Sequence, residues 1–289
     1  MQMPDFHYHT PDTVAEASTL LAELSGKVTV LAGGTDVLHK LKVGHLVPDH
    51  LVSLKKLDEL RGIRYETGRG IVIGALATHN EIYNSTLLQE RYLSLPMAAH
   101  SMANYQIGNV GTIGGNIANA SPLADLPPLL IALRAHVRLV GTAGERTVLL
   151  EDFITGPGKT VIAPDEVLTE VIIPEQQTTS STYMKFGLRK SGALAVVGVA
   201  VAVTLQEGMI TDARIALGAV APVPMRAKKT EELLKGKILS DELLEQAAAS
   251  AAAESRPISD LRGSEAYRRH LVGVLTKRAL RKAIEEGHV

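Results

Sequence analysis

Cysteine and tryptophan are both missing from the 289 residues. Without cysteine, this chain has no disulfide, thiolate-bound zinc, thiol nucleophile or cysteine-held iron–sulfur cluster. Any redox chemistry must then use a bound organic cofactor or a metal site free of thiolates. Aromatic residues are scarce, with three Phe and seven Tyr, which leaves little for a single-stranded nucleic acid to stack on. Neither sign of charge dominates: 30 Lys and Arg stand against 31 Asp and Glu, so no global field steers the chain to nucleic acid or an anionic membrane. Long hydrophobic runs are also lacking. The most continuous, residues 193–205, falls short of the roughly 20 residues a membrane-spanning helix needs. The N-terminal MQMPDFHYHT has neither the basic start nor the apolar stretch of a signal peptide. A cytoplasmic protein is the expectation.

What is present is the balance of an ordinary globular protein, 45% hydrophobic and 21% charged, long enough for two domains. Residues 13–24 read as a helix, KVTVLAGG as a strand running into a turn, and HLVSL as another apolar strand. RGIVIGA and HVRLVG follow as strands among glycine-rich turns, with a helix over 95–104. Near residue 177 the polar QQTTSST reads as a linker or exposed loop. Beyond it, two strand-like runs flank Gln206-Glu207-Gly208, a hairpin signal, and three helices follow over 227–235, 241–254 and 264–286. The expected class is α+β: a first domain over 1–177, in lobes of about 1–55 and 56–177, and a second over 178–289.

Phosphate-binding glycine loops are the natural candidates for a cofactor site. No G-x-G-x-x-G follows a strand, so the usual dinucleotide fingerprint is missing. TGPGKT at 155–160 imitates the end of a P-loop, yet Phe153 stands where the first glycine is required. An ordinary turn is expected there. Two other loops survive. In LAGGTDVLHKL a β-like run ends in Gly33-Gly34, and Thr35-Asp36 is placed to cap a helix. Successive amides at such a turn form an anion site, and glycine lets phosphate approach the backbone. A purely structural β-to-α turn is the other reading. In NVGTIGGNIANASPLADLPPLL, small polar residues surround Gly111, Gly114 and Gly115; the segment reads as a loop packed on something flat or anionic. Asp125 is placed either to accept ribose or ribityl hydroxyls or to cap a helix.

AGGTD at 32–36, GTIGGNIANASPLADLPP at 111–128 and APVPMRA at 221–227 resemble the FAD-binding medium subunits of molybdenum hydroxylases, of the xanthine, carbon monoxide and nicotinate dehydrogenase types. The motifs fall in family order along the whole chain. The resemblance implies a two-lobed, vanillyl-alcohol-oxidase-like (PCMH-type) FAD domain, then an antiparallel sheet with three helices. It implies that Ala32, Gly33, Gly34, Thr35 and Asp36 hold the FAD pyrophosphate through backbone amides, with Thr112, Gly114, Gly115 and Asn116 as the second half of the clamp. It also implies that Asp125 sits near the adenosine or ribityl hydroxyls, and that Leu168 and Lys185 lie near the flavin. A cation at the flavin N1/C2 edge would stabilise the anion formed on reduction.

The implied function is electron transfer within a complex. A small partner with two 2Fe–2S clusters would feed electrons to the FAD from a molybdopterin-binding large partner, and NAD or another acceptor would take them. A stand-alone flavin reductase or oxidase, similar to the UDP-N-acetylmuramate reductase group, and a flavin-free scaffold are the alternatives. Two positions depart from the family pattern. Gln106-Ile107-Gly108-Asn109 lacks the Arg often found before the glycine loop. Ala193-Leu194 replaces an Asp-aromatic pair that commonly covers a flavin face, a change that bears on how flavin meets nicotinamide. His7-x-His9 shares one strand face but lacks a third ligand, so a surface strand is expected. Asp49-His50 and His79 have no nucleophile beside them. The basic residues of the last helix, Arg268-Arg269, Lys277, Arg278, Arg281 and Lys282, are expected on a solvated face.

Overall fold

The computed structural model describes residues 3–102, 104–189 and 192–286; Lys190, at the end of YMKFGLRK, lies outside them. The N-terminal part is built on a parallel sheet in which His50–Ser53 lies between His7–His9 and Val28–Leu31. Parallel neighbours require a crossover, and the helix Val14–Glu23 supplies the first. Thr13 caps it, accepting the Glu16 amide at 3.1 Å. Its buried positions Val14, Ala17 and Leu21 recur at helical spacing and meet Val52, Leu54 and Leu60 in a small core.

A five-stranded antiparallel sheet follows, in the order Ile63–Glu66, Gly70–Gly74, Val167–Ile173, His136–Gly141 and Gly144–Leu149. Val167–Ile173 is central and buried along its whole length. The helical stretch between its second and fourth strands covers one face, burying Ile71, Ile73, Ile113, Ile117, Leu129 and Val171 together. The imitation P-loop is a two-stranded hairpin, Ile154–Gly156 against Lys159–Thr160, as expected of an ordinary turn.

The third sheet runs in sequence order: Ser180–Phe186, Val197–Gln206, Met209–Gly218 and Met225–Arg226. Its hairpin turns at Glu207 and Gly208, both at positive φ (52° and 77°), as a two-residue type I′ turn requires. Val197–Gln206 reads as one apolar run because both its faces are covered. Val197, Val199, Val201 and Val203 pack with the helices Lys228–Leu234, Asp241–Glu254 and Glu265–Glu286. Ala200 and Ala202 join the core of the preceding sheet instead. A Cβ at Gly218 would lie 2.7 Å from Pro128, so sheet and neighbouring helix touch where only glycine fits.

Two expectations are corrected. The segment 109–130 is not all loop: Ile113–Ala118 and Leu126–Ala132 are helical. Glycine costs about 1 kcal/mol against alanine in a helix, but a Cβ at Gly114 would stand 2.7 Å from Ala75 Cβ. Close packing outweighs propensity there. The last helix is not uniformly solvated on its basic face either. Arg268 is 2% exposed and donates to the carbonyls of Val196 and Ala219 and to the Asp260 carboxylate. Arg269, Lys277 and Arg281 pair with Glu265, Glu245 and Asp241, as expected of a solvated surface.

Candidate functional site

The strand Val28–Leu31 lies at the edge of the parallel sheet, and its C-terminal end delivers Ala32-Gly33-Gly34-Thr35-Asp36 before the helix Val37–Lys42 begins. Gly34 turns the chain at φ 90°, where L side chains are strained. Asp36 occupies the N-cap position but makes no side-chain cap bond, so the expected capping is not made. Among the described residues, no protein acceptor meets the backbone N–H groups of residues 32–36. Successive uncommitted amides at such a turn are an anion receptor.

The second loop behaves differently. Ile113 N–H donates to the Ala77 carbonyl and Gly114 N–H to that of Ala75, while Asn116 N–H returns to Thr112. Gly115 N–H donates to the Thr112 hydroxyl at 3.1 Å, which makes Thr112 the cap of Ile113–Ala118. The amides of Gly114, Gly115 and Asn116 are thus spent within the protein. Their half of the clamp is a surface without side chains rather than a row of donors. Asn116 contributes something else: its side-chain oxygen is buried with no hydrogen-bond partner among the described residues.

The two loops meet. A Cβ on Gly33 would lie 1.9 Å from the Val110 carbonyl oxygen and 3.2 Å from Gly111 Cα. Between and beyond them opens a cavity of about 500 Å³, lined by residues 32–36, by Thr112, Gly114, Gly115 and Asn116, and by Asp125 and Leu168. That volume is within the range of about 300–1,000 Å³ usual for ligand pockets. Lys185 is not among the lining residues. Its ammonium donates to Asp125 Oδ2 at 2.9 Å and to the Ala193 carbonyl at 3.3 Å. The family resemblance implies a position near the flavin; in the structure its ammonium is paired with a buried carboxylate, which compensates its charge.

Asp125 sits at the helix N-cap position of Leu126–Ala132 without capping it. Both its oxygens turn to the C-terminal sheet, the second accepting the Tyr183 hydroxyl at 2.7 Å. Burial pushes the Asp125 carboxyl up, and Lys185 and Tyr183 pull against that without cancelling it. The Tyr183 phenol is raised well above its usual value by burial and by the Asp125 charge, so it remains a donor. This trio joins the cavity wall to the strand Ser180–Phe186.

Residues that the sequence reading did not assign also line the cavity. His79 is 5% exposed, and its ring packs against Gly111, where a Cβ would come within 2.9 Å of it. No sequence signal marked it, because the contact depends on the Thr78–Thr112 bridge that brings the two segments together. Ala193 and Leu194, the departure from the Asp-aromatic pair, stand at the cavity, with Leu194 exposed. The other departure has a steric counterpart: a Cβ at Gly108 would lie 2.3 Å from Asn80 Oδ1, so an arginine has no room there as the chain is folded.

Two stability measurements follow from this wall. Lys185→Met leaves the Asp125 carboxylate buried without its cation and costs about 3–5 kcal/mol in urea unfolding; Asp125→Asn with Lys185→Met recovers most of it. Equal losses in the single and double variants would show that the pair is not coupled. Burial lowers His79 from 6.5 to about 4. Between those values the unfolded chain binds a proton that the folded chain refuses, so stability falls as pH drops through that window, by roughly 3 kcal/mol in all. His79→Leu flattens that stretch of the stability–pH curve, and an unchanged slope would remove His79 as its source.

Comparison with known proteins agrees with this geometry. Residues 4–176 match the family described as FAD binding domain in molybdopterin dehydrogenase, and residues 181–283 match the CO dehydrogenase flavoprotein C-terminal domain. The chain is 39% identical to the carbon monoxide dehydrogenase medium chain of Hydrogenophaga pseudoflava, over 97% of each. It is 32% identical to the xanthine dehydrogenase FAD-binding subunit of Escherichia coli O157:H7, over 96% of this chain and 95% of that one. Among solved structures, that of the Hydrogenophaga carbon monoxide dehydrogenase superposes with a TM-score of 0.94 at 38% identity, covering 99% of both chains. Quinoline 2-oxidoreductase from Pseudomonas putida 86 also gives 0.94, at 30% identity over the full length of both. The fold is the PCMH-type FAD-binding domain followed by the antiparallel C-terminal domain, and the chain belongs to the family of FAD-binding medium subunits of molybdenum-containing dehydrogenases.

Proposed function

We propose that this chain carries electrons through its FAD between the iron–sulfur clusters of a small partner subunit and NAD or another acceptor, in a complex whose molybdopterin-binding large subunit oxidises the organic substrate. The single observation that carries this reading is the contact of two glycine loops around a cavity of about 500 Å³, one loop offering uncommitted amides. The chain has no cysteine, so the clusters must belong to partners.

The cavity suits the cofactor on its own chemistry. Ala32, Gly33, Gly34, Thr35 and Asp36 would hold the diphosphate with main-chain N–H groups, which neutralise it without a desolvated cation. Gly114 and Gly115 would let the dinucleotide lie against bare backbone, Thr112 would fix the start of that turn, and the orphaned Asn116 oxygen would accept a ligand hydroxyl or amide. Asp125 would stand near the adenosine or ribityl hydroxyls, with Leu168 against the flavin and Lys185 acting through Asp125. When bound, FAD supplies the ability to pass electrons singly or in pairs. The protein needs no proton donor of its own for the organic substrate, and exposed Leu194 leaves the acceptor side without an aromatic cover. We place the division between the domains at about residue 177.

The glycines separate binding from folding. At Gly115 the nearest atom to an added Cβ is the Thr112 hydroxyl at 2.8 Å, with Ala32 Cβ next at 3.9 Å. Gly115→Val therefore fills the gap between the loops, and purified protein is expected to lose its flavin absorbance while its unfolding midpoint stays near that of the wild-type apoprotein. Gly33→Val instead collides with the Val110 backbone and lowers both. Full flavin occupancy in Gly115→Val would show that the cavity holds something else. For the complex, the native protein is purified from its own cells. Co-purification of a cluster-bearing subunit and a molybdopterin-binding subunit is expected, and a yellow protein isolated alone would favour a self-sufficient flavin reductase.

A further inference from the structure

On the strand edge opposite the first glycine loop, the parallel sheet gathers three histidines. His7 and His50 are register partners on adjacent strands, and His9, two residues on, shares their face. The strand pairing thus supplies the neighbour that the His7-x-His9 motif lacks in sequence. His9 Nε2 and His50 Nδ1 stand 3.1 Å apart, and the His7 ring stacks on that of His50 with centroids 5.3 Å apart.

We propose that His9 and His50, with His7 as a third donor, form a surface site for a borderline divalent transition metal ion such as Zn²⁺, Ni²⁺ or Cu²⁺. Two imidazole nitrogens bound to one tetrahedral ion at about 2.0–2.1 Å are roughly 3.3 Å apart, close to the separation already present. The tautomer chemistry is simple. The ring that now donates its N–H across the contact moves that proton to its other nitrogen through water, so both facing nitrogens offer lone pairs and no net proton is lost. Among the described residues no three donors already converge on one point, so His7 must turn from its stacked position. It is exposed, which leaves it free to do so, and water completes the coordination.

Strand order sets this site across the sheet from the flavin cavity. His9 is level with Val52 and, beyond it, with the cavity-lining Val30, but the two stand on opposite edge strands, roughly 10 Å apart at about 4.8 Å per strand. Bound metal would clip the edge strand His7–His9 to the central strand and stabilise the folded chain by mass action, with the flavin left in place.

The test is titration of the tag-free flavoprotein with Zn²⁺ and Ni²⁺ by calorimetry, with the thermal midpoint read before and after chelation. One saturable site and a chelator-reversible rise in midpoint are expected. His9→Ala and His50→Ala are expected to weaken binding by more than the roughly 10–100-fold that follows loss of a mere supporting partner, and His45→Ala to leave it unchanged. Retained flavin absorbance reports that each variant is folded, and His9→Gln replaces His9→Ala should the latter not fold. No saturable binding, or binding equally strong in the His9 and His50 variants, overturns the proposal.

Discussion

The approach of Gly33 to the Val110 carbonyl, closer than any Cβ allows, is the contact on which the site depends. It joins two loops from different sheets, one hung from an edge strand of the parallel sheet and the other held against the five-stranded sheet by Ala75 and Ala77. Each loop is fixed by its own sheet as well as by their mutual contact. The cavity is therefore the space left between two rigid supports, the kind of placement that favours pre-organised binding. A side chain at Gly33 would part the loops, and one at Gly115 would fill the space between them, so the two glycines serve different ends.

The loops also divide the electrostatic work. The first has amides with no partner in the protein, and the second has spent its own on building a capped helical turn. An anion held by main-chain dipoles adds no net charge to the protein and requires no buried lysine. Lys185, a cation deep in this region, is already committed to Asp125. Because burial still holds the Asp125 carboxyl above its ordinary range, the pair is better understood as a hydrogen-bonded joint between cavity wall and C-terminal sheet than as a source of field. Tyr183 completes that joint, which ties the shape of the pocket to the docking of the C-terminal sheet.

Much of this was legible in the sequence, for local reasons. The run KVTVLAGGTD announces strand, turn and helix because β-branched residues, glycines and a helix former follow in that order, and the chain folds so. The hairpin at Glu207-Gly208 and the three C-terminal helices carry equally local signals. What escaped depended on partners distant along the chain. Ile113–Ala118 reads as loop because glycine is a poor helix former, and the reason it is helical, Ala75, lies some way back in sequence. Arg268 reads as a surface charge on an amphipathic helix; only the carbonyls of Val196 and Ala219 explain its burial. His79 and the His9–His50 contact have the same character, since strand pairing alone makes them neighbours.

The two departures from the family pattern can be weighed on the same basis. Gly108 against Asn80 is a compensated change: the space an arginine would need is filled by a side chain that donates to the Tyr105 carbonyl and to Asn109 Oδ1, so the approach to the glycine loop stays ordered. Leu194 is not compensated in that way. It is half exposed at the cavity, and no described Phe or Tyr side chain lines the pocket. An aromatic cover both shields a flavin face and must move for a nicotinamide to stack there, whereas a leucine offers a smaller apolar edge that hinders approach less. The family relationship supports the cofactor, and this departure lies at the rim of the cavity rather than at its glycine loops.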